Sequence, residues 1–417
     1  MQIAMVAYAD ISHDSRVQRE AASLAHAGHD VTVFCLPDPG GAAVPAVDGH
    51  VRVVPVAVSG SARPGSARPV SGASLLRAAA RKAQWVVAYA WNVRLWGRAV
   101  TASAGHFDAW HAHDMAGLVA LAGSIDRGAL LVYDVHDLFA ETGTASQLPV
   151  LVRRAIRLYE RHLVRHVDLA VVVNADLADV VRTRLRPRRL IVVHNCPPRW
   201  SVCEPRPDLI RAALGISPGA PIVLYHGVLG QMRGLDRLIE AMLEVELRAA
   251  HLVLMGYGQL REQLESTAMD PRFDRRVHVL PAVLPRDLLP WIASADVGAL
   301  AMPRASLNLY LSTPNKLFEC LAAGTPVVVS AFPAVRRIVE DDRLGPLGAV
   351  CRPDDTRDLA RALGSILSLQ PSELAALRRR CARAAEERWN WETEAAKLVD
   401  AYAVLARSHV PRPTAAG

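Results

Sequence analysis

Short apolar runs alternate with longer helical patterns along most of this chain, and this alternation limits the choice of fold. The first half holds seven such runs between residues 3 and 193, and the second half holds five between residues 222 and 329. Short apolar runs separated by helices are typical of parallel strands that are covered on both faces. The sequence therefore predicts an α/β protein with two doubly wound, Rossmann-like parallel sheets.

A proline-rich segment separates the two series of runs. Residues 195–208 contain four prolines, a composition that favours a linker. We predict an N-terminal domain over residues 1–195, a linker over 196–220 and a C-terminal domain over 221–388. Ligands of open parallel sheets bind beyond the carboxyl ends of the strands, so two such domains should face a central cleft.

Composition excludes several classes of protein. Hydrophobic residues make up 51% of the 417 and charged residues 21%, which excludes a wholly disordered chain. The formal net charge of +7 suits anionic partners such as nucleotides, phosphates or an acidic membrane, without choosing among them. Aromatic residues, at 5%, are too few to favour stacking on single-stranded nucleic acid, so we expect no nucleic-acid partner.

The cellular location is predicted from what the chain lacks. No apolar run approaches the roughly 20 residues of a membrane span. The first ten residues lack the basic region of a signal peptide and are predicted to form a strand. The six cysteines are scattered without a CxxC pair, which indicates reduced thiols with neither disulfides nor a zinc site. We therefore expect a cytoplasmic protein.

Polar side chains follow three strands of the first domain. Arg16 lies at the start of the first helix, His113 and Asp114 follow the fourth run, and His136 follows the fifth. A histidine at the carboxyl edge of a sheet can donate to a sugar hydroxyl or a phosphate, and His136 is the first choice for function. The alternatives are that Arg16 is solvated and that the histidines only form hydrogen bonds to neighbouring side chains. Nothing has the ligand spacing of a known metal site, so we expect no metal.

The loops of the second domain suggest a phosphate site. Gly227 and Arg233 follow the run at 222–225, where a glycine lets the backbone approach a phosphate and an arginine at a helix start can pair with it. Gly256 begins a Gly-Tyr-Gly stretch that lacks the full dinucleotide fingerprint, so a tight turn explains it equally well.

The stretch around residue 316 is the most informative. Lys316 and Glu319 share a face near a helix start, and the chain has only three lysines. A lysine there opposes the helix dipole, which favours a bound anion. Glu319 could accept hydrogen bonds from two ribose hydroxyls. The alternative is an ordinary Lys–Glu surface pair.

In order along the chain, these motifs resemble the retaining glycosyltransferases of the family 4 group, which have the GT-B fold. The likeness covers nearly the whole chain and rests above all on Pro314-Asn-Lys-Leu-Phe-Glu followed by Ala323-Gly-Thr-Pro-Val. The resemblance implies that the C-terminal domain holds a nucleotide-diphosphate sugar. The N-terminal domain would hold the acceptor, which is a glycan, a lipid-linked sugar or a small molecule. A final helix, at 389–410, would cross back onto the first domain.

The resemblance also implies residue roles. Arg233 would contact the diphosphate and Glu319 the ribose, while His136 and Lys316 would be catalytic. Where many relatives have an earlier glutamate this chain has Leu311, as in a subgroup with a Ser-x-Pro-x-Lys-x-x-Glu pattern. The sugar hydroxyls would then fall to Lys316 or to its neighbour. The implied donor-binding residues are Gly227, Arg233, Gly256, Asn315, Lys316 and Glu319, and the implied acceptor-side residues are Arg16, His113 and Asp114.

The family retains anomeric configuration by same-face attack, with the leaving phosphate taking the acceptor's proton. Arg233 and Lys316 would meet the phosphate charge without a metal or other cofactor. Two alternatives remain. A sugar-nucleotide epimerase of similar fold would need no acceptor, and a non-catalytic partner protein would bind donor weakly or not at all.

One further segment bears on the acceptor. Residues 75–100 mix five basic residues with Trp85, Trp91 and Trp96. Basic residues and tryptophan together suit a helix that lies on an anionic membrane, as a lipid-linked acceptor would require. The alternative is an ordinary domain helix with a solvated basic face. The preceding stretch, residues 59–74, is rich in Ser, Gly, Pro and Arg and is predicted to be a flexible insertion.

Overall fold

A computed structural model describes residues 1–12, 14–38, 47–57, 75–125, 128–340 and 343–408. The chain forms two compact units: Met1–Val193 together with the chain from Ala395 onward, and His194–Glu394. The predicted insertion at 59–74 lies outside the described residues. Each unit is an α/β layered structure around a parallel sheet, which confirms the predicted fold class.

The first unit contains a parallel sheet of seven strands. Its spatial order is β3-β2-β1-β4-β5-β6-β7. Strands β2 and β3 therefore extend the sheet on one side of β1, and β4 to β7 extend it on the other side. In the central strand, the side chains from Ile3 to Val6 have no exposed surface, as expected for a sheet covered on both faces. The strands are β1 Gln2–Ala7, β2 Asp30–Cys35, β3 Val51–Pro55, β4 Ala109–His113, β5 Leu130–Val135, β6 Leu169–Val172 and β7 Leu190–Val192.

Helices connect these strands. The first begins after Asp14, whose side chain accepts from the backbone N–H groups of Arg16 and Val17. It ends shortly before Gly28, which has a φ of +88°. The helices of this unit are α1 Ser15–His26, α2 Leu75–Ser103, α3 Asp114–Leu121, α4 Gly143–Ser146, α5 Val150–Val164 and α6 Ala175–Arg184.

The second unit repeats the plan with six parallel strands in the order β10-β9-β8-β11-β12-β13. The strands are β8 Ile222–Val228, β9 His251–Tyr257, β10 Val277–Pro281, β11 Val297–Leu300, β12 Val327–Ser330 and β13 Gly348–Cys351. The helices are α7 Leu209–Leu214, α8 Leu235–Ala241, α9 Arg261–Ala268, α10 Leu288–Ala293, α11 Leu307–Leu311, α12 Asn315–Ala322, α13 Pro333–Val339, α14 Thr356–Leu367 and α15 Pro371–Glu387. The last helix, α16 Trp391–Ser408, begins in this unit and continues in the first.

The segment at 196–220, predicted as a linker, is part of the second unit in the structure. It contains α7, and the side chains of Cys196 and Ile210 are fully buried in the second core. Arg206 donates hydrogen bonds to the backbone oxygen of Gly324 and to the hydroxyl of Thr325. Prolines prevent regular secondary structure locally, but apolar residues of this segment still pack against the core of the second unit.

No helix among the described residues is both long and apolar enough to cross a membrane.

A prediction follows from the contact between α2 and α3. A Cβ placed on Gly97 would lie 2.0 Å from the backbone oxygen of Ala120. Gly97→Ala must therefore push the two helices apart, and we expect it to lower the free energy of unfolding by about 2–3 kcal/mol in a denaturant titration. Gly105→Ala is the control because open space surrounds its Cβ position. Equal stability of the two variants would contradict this packing.

Candidate functional site

A buried carboxylate at the carboxyl end of β5 organises the polar residues of the first unit. Asp134 has no exposed surface and accepts from Nε and Nη2 of Arg16 at 2.7 and 2.8 Å. It also lies 2.7 Å from Nε2 of His136. Burial alone would raise the pKa of Asp134, but the charges of Arg16 and His136 outweigh it and hold that pKa well below its usual range.

Arg16, which was predicted on the acceptor side, is buried, and its guanidinium is bonded to protein groups. Only 3% of its surface is exposed, and its remaining donor Nη1 reaches the backbone oxygen of Val193 at 2.8 Å. The physical reason is the burial of Asp134, since an ionised carboxylate inside a core needs a charged partner. Arg16 is therefore the counter-ion of this core and is not available to a ligand.

A second carboxylate shares the same guanidinium. Oε1 of Glu20 lies 3.0 Å from Nη2 of Arg16, and Oε2 lies 3.5 Å from Nε2 of His111. Asp134 accepts two hydrogen bonds from the same guanidinium. The charge of Arg16 therefore does not offset the burial of Glu20, and burial raises the pKa of Glu20. Burial and the neighbouring His113 lower the pKa of His111 well below its usual range. A proton on Glu20 that points toward His111 fits this pair.

The ligand atoms of Glu20, His111, His113 and Asp134 all lie within 4.8 Å of one another, so the cluster has to be tested as a metal site. The rings of His111 and His113 are stacked 4.6 Å apart at an interplanar angle of 9°. The guanidinium of Arg16 also already supplies positive charge. The geometry therefore fits a shared proton better than a metal ion.

His136 is the cation at the surface of this network. Its Nδ1 lies 3.5 Å from Asp114 and its side chain is 17% exposed. Burial would lower the pKa of His136, but Asp114 and Asp134 raise it to about 10. His136 is therefore an imidazolium at neutral pH. Its buried neighbour His113, with 2% exposure, lies below it and contacts Asp134 at 3.4 Å.

A cavity of about 150 Å³ opens above His136, at the carboxyl edge of the first sheet. All of its lining residues belong to the first unit, and they include both His136 and His113. Three aromatic rings and three carboxylates also line it: Tyr8, Tyr89, Phe139, Asp14, Asp114 and Asp137. Three of the residues predicted for the N-terminal site, His113, Asp114 and His136, thus meet at one cavity.

The second unit has a different kind of site, where β8 ends beside the start of α12. Nζ of Lys316 lies 3.0 Å from the hydroxyl of Tyr225 and 4.5 Å from the centre of its ring. Gly227 has a φ of +104°, and a Cβ on it would lie 2.7 Å from Cε of Lys316. Burial and the nearby charge of Arg233 lower the pKa of Lys316 to about 8.

Arg233 has no hydrogen bond or ion pair among the described residues. Its loop is fixed by Gly234, which has a φ of +71° and whose Cβ would lie 1.9 Å from the backbone oxygen of Ala301. The structure therefore holds two cations, Arg233 and Lys316, close enough for the charge of Arg233 to lower the pKa of Lys316. Such a pair favours a bound anion.

Glu319 lies one helical turn after Lys316 and contacts a residue that the sequence analysis did not select. Its Oε2 is 2.8 Å from Nε2 of His226, which is buried. His226 precedes Gly227 at the end of β8. That position at the end of a strand is the only feature of the sequence that could have identified it as a site residue. Asn315 begins α12 and is half-buried.

Gly256, which was predicted to bind donor, has a packing reason to be glycine. It pairs with Gly227 between β8 and β9, and a Cβ on it would lie 1.8 Å from the backbone oxygen of Gly227. Gly256 therefore allows the close approach that positions Gly227 beside Lys316. Leu311, where many relatives have a glutamate, is buried at the end of α11 with 8% exposure.

Comparison with known proteins decides the family. Residues 15–196 match the family model described as Glycosyltransferase Family 4, and residues 220–368 match the one described as Glycosyl transferases group 1. The chain belongs to the GT-B glycosyltransferases. The first matched segment includes His113, Asp114 and His136 of the cavity lining, and the second includes Arg233 and Lys316.

Similar curated glycosyltransferases cover part of the chain. A D-inositol 3-phosphate glycosyltransferase of Xylanimonas cellulosilytica is 32% identical over 243 residues, which is 56% of this chain and 54% of that protein. A protein with the same description from Nocardioides is 27% identical over 72% of this chain and 67% of its own length. A probable glycosyltransferase, WbjE of Pseudomonas aeruginosa, is 23% identical over 59% of this chain and 62% of its own length.

Solved structures share the fold over nearly the whole chain. Sucrose-phosphate synthase of Thermosynechococcus elongatus has a TM-score of 0.72 at 18% identity, covering 98% of this chain and 100% of that one. HepE of Anabaena, in complex with UDP, has a TM-score of 0.64 at 15% identity, covering 97% and 100%. At these identities the likeness establishes the GT-B fold alone.

The charge network of the first unit predicts a pH-dependent effect of Glu20→Gln. The raised pKa of Glu20 means that the folded protein keeps a proton that the unfolded chain releases above about pH 4.5. The stability that this proton gives is complete below that pH and is lost as pH rises through the folded pKa. The neutral glutamine does not titrate, so its stability relative to wild type should rise by about 1–3 kcal/mol between pH 5 and 8.

Denaturant titrations at several pH values measure this difference. Glu265→Gln, at an exposed carboxylate on α9, controls for the loss of an acidic residue. A difference between wild type and Glu20→Gln that stays constant from pH 5 to 8 would show that Glu20 is ionised in the fold.

Proposed function

We propose that this protein is a retaining glycosyltransferase that moves a hexose from a nucleotide-diphosphate sugar to an acceptor hydroxyl. The acceptor is a glycan, a lipid-linked sugar or a small molecule. The observation that carries the proposal is the cation pair of the second unit. Arg233 has no counter-ion among the described residues, and the pKa of Lys316 is lowered by burial and by that neighbouring charge. A diphosphate would supply negative charge to both cations.

The chemistry of the second unit is charge stabilisation. Transfer builds positive charge on the donor sugar and negative charge on the departing diphosphate, so preformed cations at the phosphates lower the barrier. Free backbone N–H groups at the start of α12 add partial positive charge. Because two side-chain cations meet the phosphates, we propose that the reaction needs no metal ion.

Glu319 and Asn315 are proposed to hold the hydroxyls of the donor. Glu319 would accept from the ribose, and its contact with His226 at 2.8 Å fixes the carboxylate in place. Asn315 or Lys316 would contact the sugar, because Leu311 is buried and offers no polar group.

The first unit is proposed to bind the acceptor. In the reaction, the acceptor oxygen forms a bond to the anomeric carbon on the face from which the phosphate leaves. The bond from that carbon to the phosphate oxygen breaks, and the acceptor's proton passes to the phosphate. His136, held as a cation between Asp114 and Asp134, would donate a hydrogen bond to a hydroxyl of the reacting sugars.

The relatives support a choice of first donor to test. HepE of Anabaena has been solved with UDP, with UDP and glucose, and with UDP-glucose. Several curated relatives are described as D-inositol 3-phosphate glycosyltransferases, and this chain spans 54% of the first of them. UDP and UDP-glucose are therefore the first probes for the donor site.

The donor site predicts the effect of removing either cation. Arg233→Ala and Lys316→Ala should each weaken UDP binding at least tenfold, since each removes a charged contact worth about 1.5–3 kcal/mol. Isothermal calorimetry measures the affinity, and circular dichroism checks the fold. Arg286→Ala is the control, because that arginine is 80% exposed in the same unit. UDP affinity unchanged in both variants would refute the donor site.

We also propose that the protein works in the cytoplasm, peripherally bound to an anionic membrane through α2. Trp96 cannot take part because it is buried and donates to the backbone oxygen of Val56, and Trp85 stacks on Tyr89. One face of the helix remains exposed, with Val87 at 69% and Trp91 at 59%. Arg94 and Arg98 continue that face at helical spacing and are exposed.

Liposome sedimentation at low salt tests this face. The protein should bind vesicles containing phosphatidylglycerol more than vesicles of phosphatidylcholine alone, and Trp91→Ala should reduce that binding several-fold. Met269→Ala is the control, because it removes an apolar side chain that is 79% exposed in the second unit. Equal sedimentation with both kinds of vesicle would refute the membrane role.

A further inference from the structure

We propose that the first-unit cavity accepts a polyhydroxylated group without a phosphate, such as a free sugar ring or an unphosphorylated polyol. This inference rests on the proposed function, since it names the chemical class of the acceptor. It is carried by the charges and rings that line the cavity.

The described lining of the cavity contains more negative than positive charge. Asp14, Asp114 and Asp137 present three carboxylates, and His136 presents one imidazolium. No arginine or lysine is found among the lining residues that the structure describes. Burial raises the pKa of Asp114 to about 6, with the charge of His136 opposing the shift and the carboxylate of Asp137 adding to it.

Arginines close to the cavity are already paired. Arg16 lies beneath it and is bound by Asp134 and Glu20. Arg153 and Arg157 reach toward the turn at Phe139–Glu141, but both end on the carboxylate of Glu141, at 3.1 and 2.9 Å. Among the residues that the structure describes, a phosphate group in the cavity would therefore meet carboxylates, and the guanidiniums named above are already paired.

His136 does not change this balance. Its imidazolium lies between Asp134 at 2.7 Å and Asp114 at 3.5 Å, and these two carboxylates already compensate its charge. It can donate a hydrogen bond, as a hydroxyl needs, but it does not supply the excess positive charge that a phosphate dianion needs.

The aromatic wall fits the apolar face of a sugar ring. Tyr89 stacks on Phe139 at 6.0 Å and 25°, and Tyr8 meets Tyr89 edge-on at 5.9 Å. Aromatic side chains offer flat apolar area, while carboxylates accept hydrogen bonds from hydroxyl groups. A lining of both kinds suits a molecule with C–H groups on its face and hydroxyls around its edge.

Paired probes test the proposal. The protein is saturated with UDP, so that Arg233 and Lys316 are not available to a second phosphate. Glucose is then compared with glucose 6-phosphate, and myo-inositol with its 1-phosphate, by saturation-transfer NMR. A separate assay without added UDP compares the same four molecules as acceptors of glucose from UDP-glucose. We expect the uncharged member of each pair to bind about tenfold more tightly or better, given the carboxylates within a few ångströms.

Removal of one charge tests whether the preference for uncharged probes arises in this cavity. Asp137→Asn keeps a polar side chain but removes a carboxylate from the lining. It should therefore reduce the ratio of the affinities for the uncharged and the phosphorylated probe several-fold. Asp179→Asn is the control, because that carboxylate is 77% exposed on α6. Tighter binding of the phosphorylated probes, no binding of the uncharged probes, or equal effects of the two variants would overturn the proposal.

The outcomes separate this inference from the proposed function. If UDP binds and depends on Arg233 and Lys316 while the phosphorylated probes are preferred, only the acceptor class is wrong. If UDP affinity does not depend on those two residues, the donor site itself is wrong, whatever the acceptor probes show.

Discussion

The ion pair between Arg16 and Asp134 is the interaction on which the polar part of the first unit depends. It joins the first turn of α1 to the carboxyl end of β5, at 2.7 Å, in a region without solvent. Removing either partner would leave an unpaired buried charge and lower the free energy of unfolding by several kcal/mol. With Asp134 ionised, His136 keeps its proton and faces the cavity as a cation.

The two units handle charge in opposite ways. Beside the first-unit cavity, Arg16 is paired with Asp134, and His136 lies between two carboxylates. In the second, Arg233 has no partner among the described residues, and Lys316 bonds to a tyrosine hydroxyl. We propose on this basis that the first unit takes a neutral acceptor and the second an anionic nucleotide donor.

Local patterns in the sequence predicted the strands and the placement of polar residues at their carboxyl ends. They also predicted that Lys316 and Glu319 share one helix start, because spacing along a helix is local. The partners of those residues could not be predicted, since Arg16 meets Asp134 across 118 residues and His226 meets Glu319 across 93. Strand β13 was also missed, because Gly348–Cys351 is short and only partly buried. Which of several charges pair is decided by distances in the fold.

The last helix gives the first unit an unusual dependence on the end of the chain. Tyr402 is fully buried and its hydroxyl lies 2.9 Å from Nδ1 of His111, while Leu398 and Leu405 are buried beside it. A fragment that stops at residue 193 would leave that imidazole nitrogen without its partner and the apolar surface beneath it uncovered. During synthesis, therefore, the interior of the first unit can close only after the residues up to about Leu405 have been made.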